Sequence, residues 1–176
     1  MQNSGGEMEL ELTGFGEFEG VDLLQKIHLF KKLTFDETTR LGSIIEYLDV
    51  APETIVIEEN ALGDALYVIA KGEVRITRDA NADGKHDANE EIGRLKEGDL
   101  FGEMSLIDDL LTSARVTTVT ACRLLKMPRD KFEALMSSDD KLAVKVFRSF
   151  CRTISDRLRR TTTMLAKTQA MHVSMR

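Results

Sequence analysis

The spacing of apolar positions changes along the chain and predicts a change from helix to strand and back. Between residues 21 and 47 these positions fall mostly three or four apart, which predicts helices, the second of them opened by the acidic pair Asp36 and Glu37. The helical spacing returns after Pro128 and, beyond a polar break, continues to about Lys167. We therefore expect helices at both ends of the chain and a different structure between them.

Short apolar runs in the middle of the chain predict strands. The runs IVI, LYVIA, VRI, EIGRL, ARVTTV and CRLLKM begin at residues 55, 66, 74, 91, 114 and 122. Turn-forming residues separate them, namely Asn60, Gly63, Gly72, Gly84, Gly98 and Gly102. Several short strands at this spacing are typical of a sandwich or barrel rather than of alternating strands and helices.

Length and composition favour one soluble domain with an extension at each end. The 176 residues, 42% of them hydrophobic, can fill one core, and no apolar run approaches the roughly 20 residues of a membrane span. The first residues lack the features of a signal peptide, and two cysteines cannot form a disulfide framework, which favours the reducing cytoplasm. The predicted divisions are a flexible acidic arm over 1–20, a domain over 21–140 and a basic helix with its tail over 141–176.

Charge is unevenly distributed between these divisions. The chain carries a net charge of −6, but residues 141–176 carry +8, so the part before them carries −14. A basic segment of this kind binds nucleic acid or an anionic membrane in some proteins. No aromatic side chains alternate with the basic ones to stack on bases, so we favour a solvated helix face that attracts acidic groups.

The segment from Gly98 to Glu103 has the chemistry of a phosphate-binding turn. Gly98 and Gly102 allow the backbone to turn sharply and approach a ligand closely, and a short helix beginning near Gly102 would direct N–H groups at an anion. A carboxylate at Glu103 is a pure acceptor and suits a ribose hydroxyl donor. The alternative for Glu103 is a solvated turn residue.

From Leu29 to Leu165 the chain resembles the cyclic nucleotide-binding domain family, which includes the sensor domain of the catabolite activator protein and the regulatory subunits of protein kinase A. Three segments carry the resemblance: GDALYVIAKGEVRI from 63, LKEGDLFGEMSLIDD from 95 and TSARVTTVTACRLLKMPRDKFEALM from 112. The resemblance implies an α+β, mainly β fold. Its parts are an eight-stranded β-roll, N-terminal helices, a short phosphate-cradle helix and a long C-terminal helix.

The resemblance also implies a binding site for cAMP or cGMP. In the family, the glutamate that corresponds to Glu103 holds the ribose 2'-hydroxyl, and positions like Ile76 and Ile92 flank the sugar and base. The remaining residues of the implied site come from two segments: Phe101, Gly102, Met104 and Ser105, and Thr112, Ser113 and Ala114.

Position 112 departs from the family pattern. Members that bind cyclic nucleotide usually carry Arg-Ser-Ala-x-Val or Arg-Ala-Ala-x-Val after the cradle, and that arginine neutralises the phosphate, whereas this chain has Thr112 there. Arg115 lies three positions on, and an odd offset along a strand turns a side chain to the opposite face. Losing such a contact lowers affinity by about 10- to 150-fold. Backbone amides, Thr112 and Ser113, or a bend that brings Arg115 inward, are the alternatives for holding a phosphate.

The long C-terminal helix carries an apolar row with coiled-coil spacing. Its members recur alternately four and three residues apart: Phe147, Cys151, Ile154, Leu158, Thr161 and Leu165. A single helix covering the roll is one interpretation. Because the row extends past the length that one domain covers, we favour a homodimer through this helix.

Residues 79–90 match the calcium-loop pattern D-x-[DN]-x-[DN]-G-x5-E. The ligands it predicts are Asp79, Asn81, Asp83, Lys85 through its carbonyl, Asp87 and Glu90. Flanking EF-hand helices are absent from the predicted strand arrangement, and an Asn/Asp/Gly-rich turn between strands is the alternative. The pattern predicts a Ca²⁺ site.

These observations favour a binding protein over an enzyme. No combination of residues typical of a nucleophile with its base, a Walker loop or a kinase is present. The leading hypothesis is a regulatory module that senses a cyclic nucleotide or related phosphate ligand and signals to an unknown protein effector through its C-terminal helix. The alternative is a structural or dimerisation domain that has lost ligand affinity, and a DNA-associated regulator is a more distant one.

Overall fold

The computed structural model of the chain describes residues 30–79, 89–108 and 110–174, together with Leu24 and Ile27. The predicted acidic arm over 1–20 lies outside these residues, and so does the centre of the predicted calcium loop.

The described strands form two four-stranded antiparallel sheets. The first contains, in spatial order, β1 (Glu46–Val50), β8 (Cys122–Pro128), β3 (Ala65–Lys71) and β6 (Leu100–Phe101). The second contains β2 (Ile55–Ile57), β7 (Arg115–Thr118), β4 (Glu73–Asp79) and β5 (Asn89–Lys96). This arrangement confirms the predicted eight-stranded β-roll.

Four described helices complete the α+β fold. They are α1 (Phe35–Gly42), the short α2 (Glu103–Asp108), α3 (Arg129–Ser138) and the 35-residue α4 (Asp140–Ser174). None of the helices that the structure describes has the length and apolarity of a membrane span.

The first sheet is buried on both faces, because one faces the second sheet and the other faces the helices. Along β3, Leu66 and Val68 point into a core that includes Phe132 and Phe150 of the helices, whereas Tyr67 and Ile69 point into the core between the sheets. This alternation follows from the two-residue repeat of a strand. It also explains why β3 is an unbroken apolar run.

Helix α4 uses one face of its first half to complete the helical core. Leu142, Val146, Ser149 and Phe150 are buried on that face. The N-terminus of α4 is capped by Asp139, whose carboxylate accepts the N–H groups of Lys141 and Leu142, both at 3.0 Å. The first half of α4 therefore packs into the helical core, and the division at 141 stays a prediction.

The second predicted helix is shorter than its apolar spacing indicated. Helix α1 begins after the capping residue Thr34 and ends at Gly42, and residues 46–50 form strand β1. Tyr47 and Leu48 fit the helical spacing of the preceding residues, but they pair with Leu125 and Leu124 of β8. Pairing with the first sheet decides the conformation of this segment, and local spacing does not.

Candidate ligand-binding site

The candidate site begins at the turn between β6 and α2. Gly102 has a φ of +83°, and a Cβ at this position would lie 2.6 Å from the carbonyl oxygen of Ala65. Gly98, in the preceding turn, has a φ of +87°. Both glycines occupy the left-handed region that other residues rarely adopt, as the pattern of the sequence indicated.

A cleft of about 90 Å³ lies beside this turn, between the second sheet and α4. The structure brings most of the proposed ligand-binding residues together here, since all of them except Ile92 and Ser105 line the cleft. Those residues are Ile76, Phe101, Gly102, Glu103, Met104, Thr112, Ser113 and Ala114, and Ile57, Val116 and Arg157 line it with them. Ser105 lies in α2, and Ile92 lies in β5 with 57% of its surface exposed.

Glu103 is a buried carboxylate paired with an arginine from α4. Only 5% of its side chain is exposed, and its Oε1 accepts a hydrogen bond from Nη1 of Arg157 at 2.6 Å. Nη2 of Arg157 donates to the carbonyl oxygen of Leu100. Burial raises the pKa of the Glu103 carboxyl, and the positive charge of Arg157 opposes that rise. The pairing excludes the alternative in which Glu103 is a solvated turn residue.

The side chain of Thr112 is hydrogen-bonded to the backbone of the protein. Its hydroxyl accepts the N–H of Ala61 at 2.9 Å and donates to the carbonyl oxygen of Glu58. Backbone hydrogen bonds between Thr112 and residues 60 and 61 reinforce the contact. Only 8% of Thr112 is exposed, so the residue fastens the connection between β2 and β3 at the edge of the cleft.

Arg115 does not take over the vacant arginine position. Its Nε donates to Oε2 of Glu58 at 2.8 Å, and it is not one of the residues that line the cleft. Among the lining residues that the structure describes, Arg157 is therefore the only lysine or arginine.

Comparison with known proteins identifies the family. The family model of the cyclic nucleotide-binding domain matches residues 47–139, which is more than half of the chain. The chain belongs to the cyclic nucleotide-binding domain family. Its residues from β1 to the end of α3 are thus the cyclic nucleotide-binding domain, and Arg157 lies on the helix that follows the matched segment.

Curated relatives of this cyclic nucleotide-binding domain are larger regulatory proteins and kinases. It is 31% identical over 113 residues to a cAMP-dependent protein kinase regulatory subunit of Yarrowia lipolytica, covering 64% of this chain and 28% of that protein. It is 30% identical over 125 residues to a cGMP-dependent protein kinase of Drosophila melanogaster, covering 69% of this chain and 13% of that protein. The chain spans less than half the length of such relatives.

Solved structures share the fold of this domain. A cyclic nucleotide-binding domain from Methylobacillus flagellatus aligns with a TM-score of 0.74 at 24% identity, covering 86% of this chain and 83% of that one. The catabolite activator protein of Thermus thermophilus aligns with a TM-score of 0.65 at 28% identity, covering 78% of this chain and 61% of that one. The regulatory domain of Toxoplasma gondii protein kinase A in complex with cAMP aligns with a TM-score of 0.59 at 26% identity, covering 68% of this chain and 44% of that one.

The sequence prediction missed the Glu103–Arg157 ion pair at the cleft. The sequence contains a signal for the arginine of this pair. Val146, Phe150, Thr153 and Arg157 recur at three- and four-residue intervals, which places Arg157 on the face of α4 that packs on the roll. A cation on a stripe of this kind needs a buried partner. Nothing local in the sequence names that partner, which lies 54 residues away.

The predicted calcium loop is described only at its ends. Asp79 ends β4, Glu90 lies in β5, and the two strands pair there, with Asp79 opposite Asn89. Asn81, Asp83, Lys85 and Asp87 lie outside the described residues. No group of three possible metal-binding side chains is found in the described part of the chain. Calcium binding stays a prediction.

Proposed function

We propose that this domain is a regulatory sensor that binds cAMP or cGMP in the cleft beside Glu103 and transmits the binding through α4. The observation that carries the proposal is the Glu103–Arg157 pair, because it joins a residue of the cleft to the long helix. The module acts by binding and not by catalysis. Its two cysteines are both free thiols, which supports a cytoplasmic location.

The chemistry of the cleft supports a ligand that contains ribose. A ribose 2'-hydroxyl donates a hydrogen bond, and Glu103 offers a carboxylate acceptor from a buried position. Ile57, Ile76 and Val116 provide an apolar wall for a sugar or base. The cAMP in the Toxoplasma gondii structure and the cAMP-dependent regulation named for the Yarrowia lipolytica subunit support the same ligand class here.

Titration calorimetry with cAMP and with cGMP tests the ligand. We expect wild type to bind at least one of them and Glu103→Ala to bind it about tenfold or more weakly, because a hydrogen bond to a charged acceptor contributes about 1.5–3 kcal/mol. Glu97→Ala removes an exposed carboxylate in the turn before β6 and is the matched control. Absence of binding by wild type at millimolar nucleotide would contradict the proposal.

The apolar row on α4 supports a dimer as the means of signalling. Phe147, Ile154 and Leu158 are 38%, 37% and 65% exposed, and Cys151 is exposed beside them. Val144, 55% exposed and three residues before Phe147, continues the row toward the start of α4. We propose that a second copy of the chain packs on this row as a coiled coil, because the row has the alternating three- and four-residue spacing of such a seam.

A ligand-independent dimerisation domain is the second candidate function. Thr112 favours it, since its side chain is hydrogen-bonded to the connection between β2 and β3 and carries no charge for a phosphate. The titration separates the two functions. A dimer that binds neither nucleotide would support this candidate.

A further inference from the structure

The lining of the cleft contains one acid and one base, and each neutralises the other. Glu103 and Arg157 are the only charged residues among the described residues that line it. A cyclic nucleotide adds a phosphate with one negative charge. If Arg157 stayed fully engaged with Glu103, the cleft would hold two negative charges and one positive charge in a poorly solvated place.

A second negative charge in such a place is costly. Charges a few ångströms apart interact far more strongly near the protein interior than in water, and a buried anion needs a partner. In this domain the family's arginine position holds Thr112, whose hydroxyl already accepts from Ala61 and donates to Glu58. Arg115 pairs with Glu58, and neither residue lines the cleft. Among the described residues that line the cleft, the one cation therefore lies on another element, α4.

Arg157 has the position and the freedom to supply that cation. Its side chain enters the cleft from α4 and remains 31% exposed, so it is not enclosed as Glu103 is. A guanidinium has five N–H donors in a planar fork, and phosphate and carboxylate both fit that fork. An arginine side chain has several rotatable bonds, so it can redirect its guanidinium by changing rotamer.

We propose that Arg157 is the phosphate-binding residue of this domain: it pairs with Glu103 in the empty cleft and transfers to the ligand's phosphate when cAMP or cGMP binds. The transfer releases Glu103 to accept the ribose 2'-hydroxyl. The cation that the family supplies from the roll comes here from α4, so the bound phosphate is tied directly to the long helix. The inference rests on the proposed function and identifies the residue that recognises the phosphate.

The first test is loss and rescue of cAMP binding, measured by titration calorimetry on the full chain. Arg157→Gln should weaken cAMP binding by about tenfold or more, and Arg157→Lys should weaken it less. Arg159→Gln, on the same helix with 82% of its side chain exposed, is the control and should bind as wild type does. Adding Thr112→Arg to Arg157→Gln should restore affinity, because it returns a cation to the phosphate from the roll. Thermal melting of each variant shows that the fold is kept.

The possible results separate this proposal from the alternatives. If Arg157 only orients Glu103, Thr112→Arg will raise cAMP affinity by the same factor in wild type and in Arg157→Gln, and the proposal is wrong; a larger gain in Arg157→Gln is the result expected if both arginines serve the phosphate. If Arg157 only blocks the cleft, Arg157→Gln will bind cAMP more tightly, which also overturns it. Binding by wild type with no effect of Arg157→Gln contradicts this inference alone, whereas no binding by wild type contradicts the proposed function as well.

Adenosine binding to the same variants is a second test, because adenosine has the ribose and base without the phosphate. The proposal predicts that Arg157→Gln leaves any adenosine binding unchanged or tightens it, since Glu103 is then free for the ribose. A parallel loss of adenosine and cAMP affinity would assign Arg157 a positioning role and overturn the proposal. Should no form bind adenosine, the rescue by Thr112→Arg decides.

Discussion

At the scale of the residue, the candidate site depends on one backbone conformation. Gly102 has a positive φ, and the carbonyl of Ala65 fills the space where a Cβ would lie. Glu103 follows immediately as the first residue of α2, so the turn at Gly102 directs its carboxylate into the cleft. The glycine and the buried acid therefore form one unit.

Replacing this glycine should be costly. We expect Gly102→Ala to lower the free energy of unfolding by about 2 kcal/mol or more, because a left-handed non-glycine residue costs about 1–3 kcal/mol and the Cβ contact adds to it. Urea denaturation measures the change. Gly93→Ala is the matched control, since its φ is not positive and no atom lies within 4 Å of its added Cβ. An equal decrease in the free energy of unfolding in the two variants would contradict this account of the turn.

At the scale of the element, two contacts hold α1 against α4. Thr34 and Glu37 form a capping box at the start of α1, and both carboxylate oxygens of Glu37 accept hydrogen bonds from Nζ of Lys145, at 2.6 and 2.8 Å. Arg40, in the last turn of α1, pairs with Asp139 at 2.6 Å. Two ion pairs therefore join α1 to the first turns of α4, one of them through the capping residue Asp139.

The Glu37 contact predicts a pH dependence of stability. The hydrogen bond from Lys145 lowers the pKa of Glu37, so its contribution is present above the unfolded pKa of about 4.5 and is lost as pH falls through the lower folded pKa. Glu37→Gln keeps the capping hydrogen bond and removes the charge. We expect the variant to be less stable than wild type at pH 7 and the difference to shrink below about pH 4, as measured by urea denaturation. A difference in stability that does not depend on pH would contradict the assignment.

The apolar row of α4 predicts the oligomeric state. Leu158→Lys should convert a dimer to a monomer in sedimentation equilibrium, because it places a charge in the proposed seam. Truncation before Phe147 is a poorer test, since it removes Phe150 from the core. Leu62→Lys, at a residue of the roll that is 83% exposed, is the control and should leave the dimer intact. A wild type that is already monomeric at high concentration would exclude the seam as an interface.

At the scale of the whole molecule, short-range patterns could be predicted and long-range pairings could not. The apolar runs at 55, 66, 74, 91, 114 and 122 correspond to strands because burial on a sheet imposes the pattern locally. Strand β1 was missed because Tyr47 and Leu48 acquire their conformation only by pairing with β8, and the two-residue β6 has too few residues to form a run. Gly102 and Glu103 carry a local signature, whereas Arg157 meets Glu103 only through the packing of α4 on the roll.

The central claim is that Glu103 recognises a ribose hydroxyl of a cyclic nucleotide, and a comparison of cAMP with 2'-deoxy-cAMP tests it most directly. Wild type should bind 2'-deoxy-cAMP about tenfold or more weakly than cAMP. Glu103→Ala should bind the two ligands with nearly equal affinity, because the substitution and the missing hydroxyl remove the same hydrogen bond. If wild type binds the deoxy ligand as tightly as cAMP, Glu103 does not recognise the ribose and the account of the cleft is wrong.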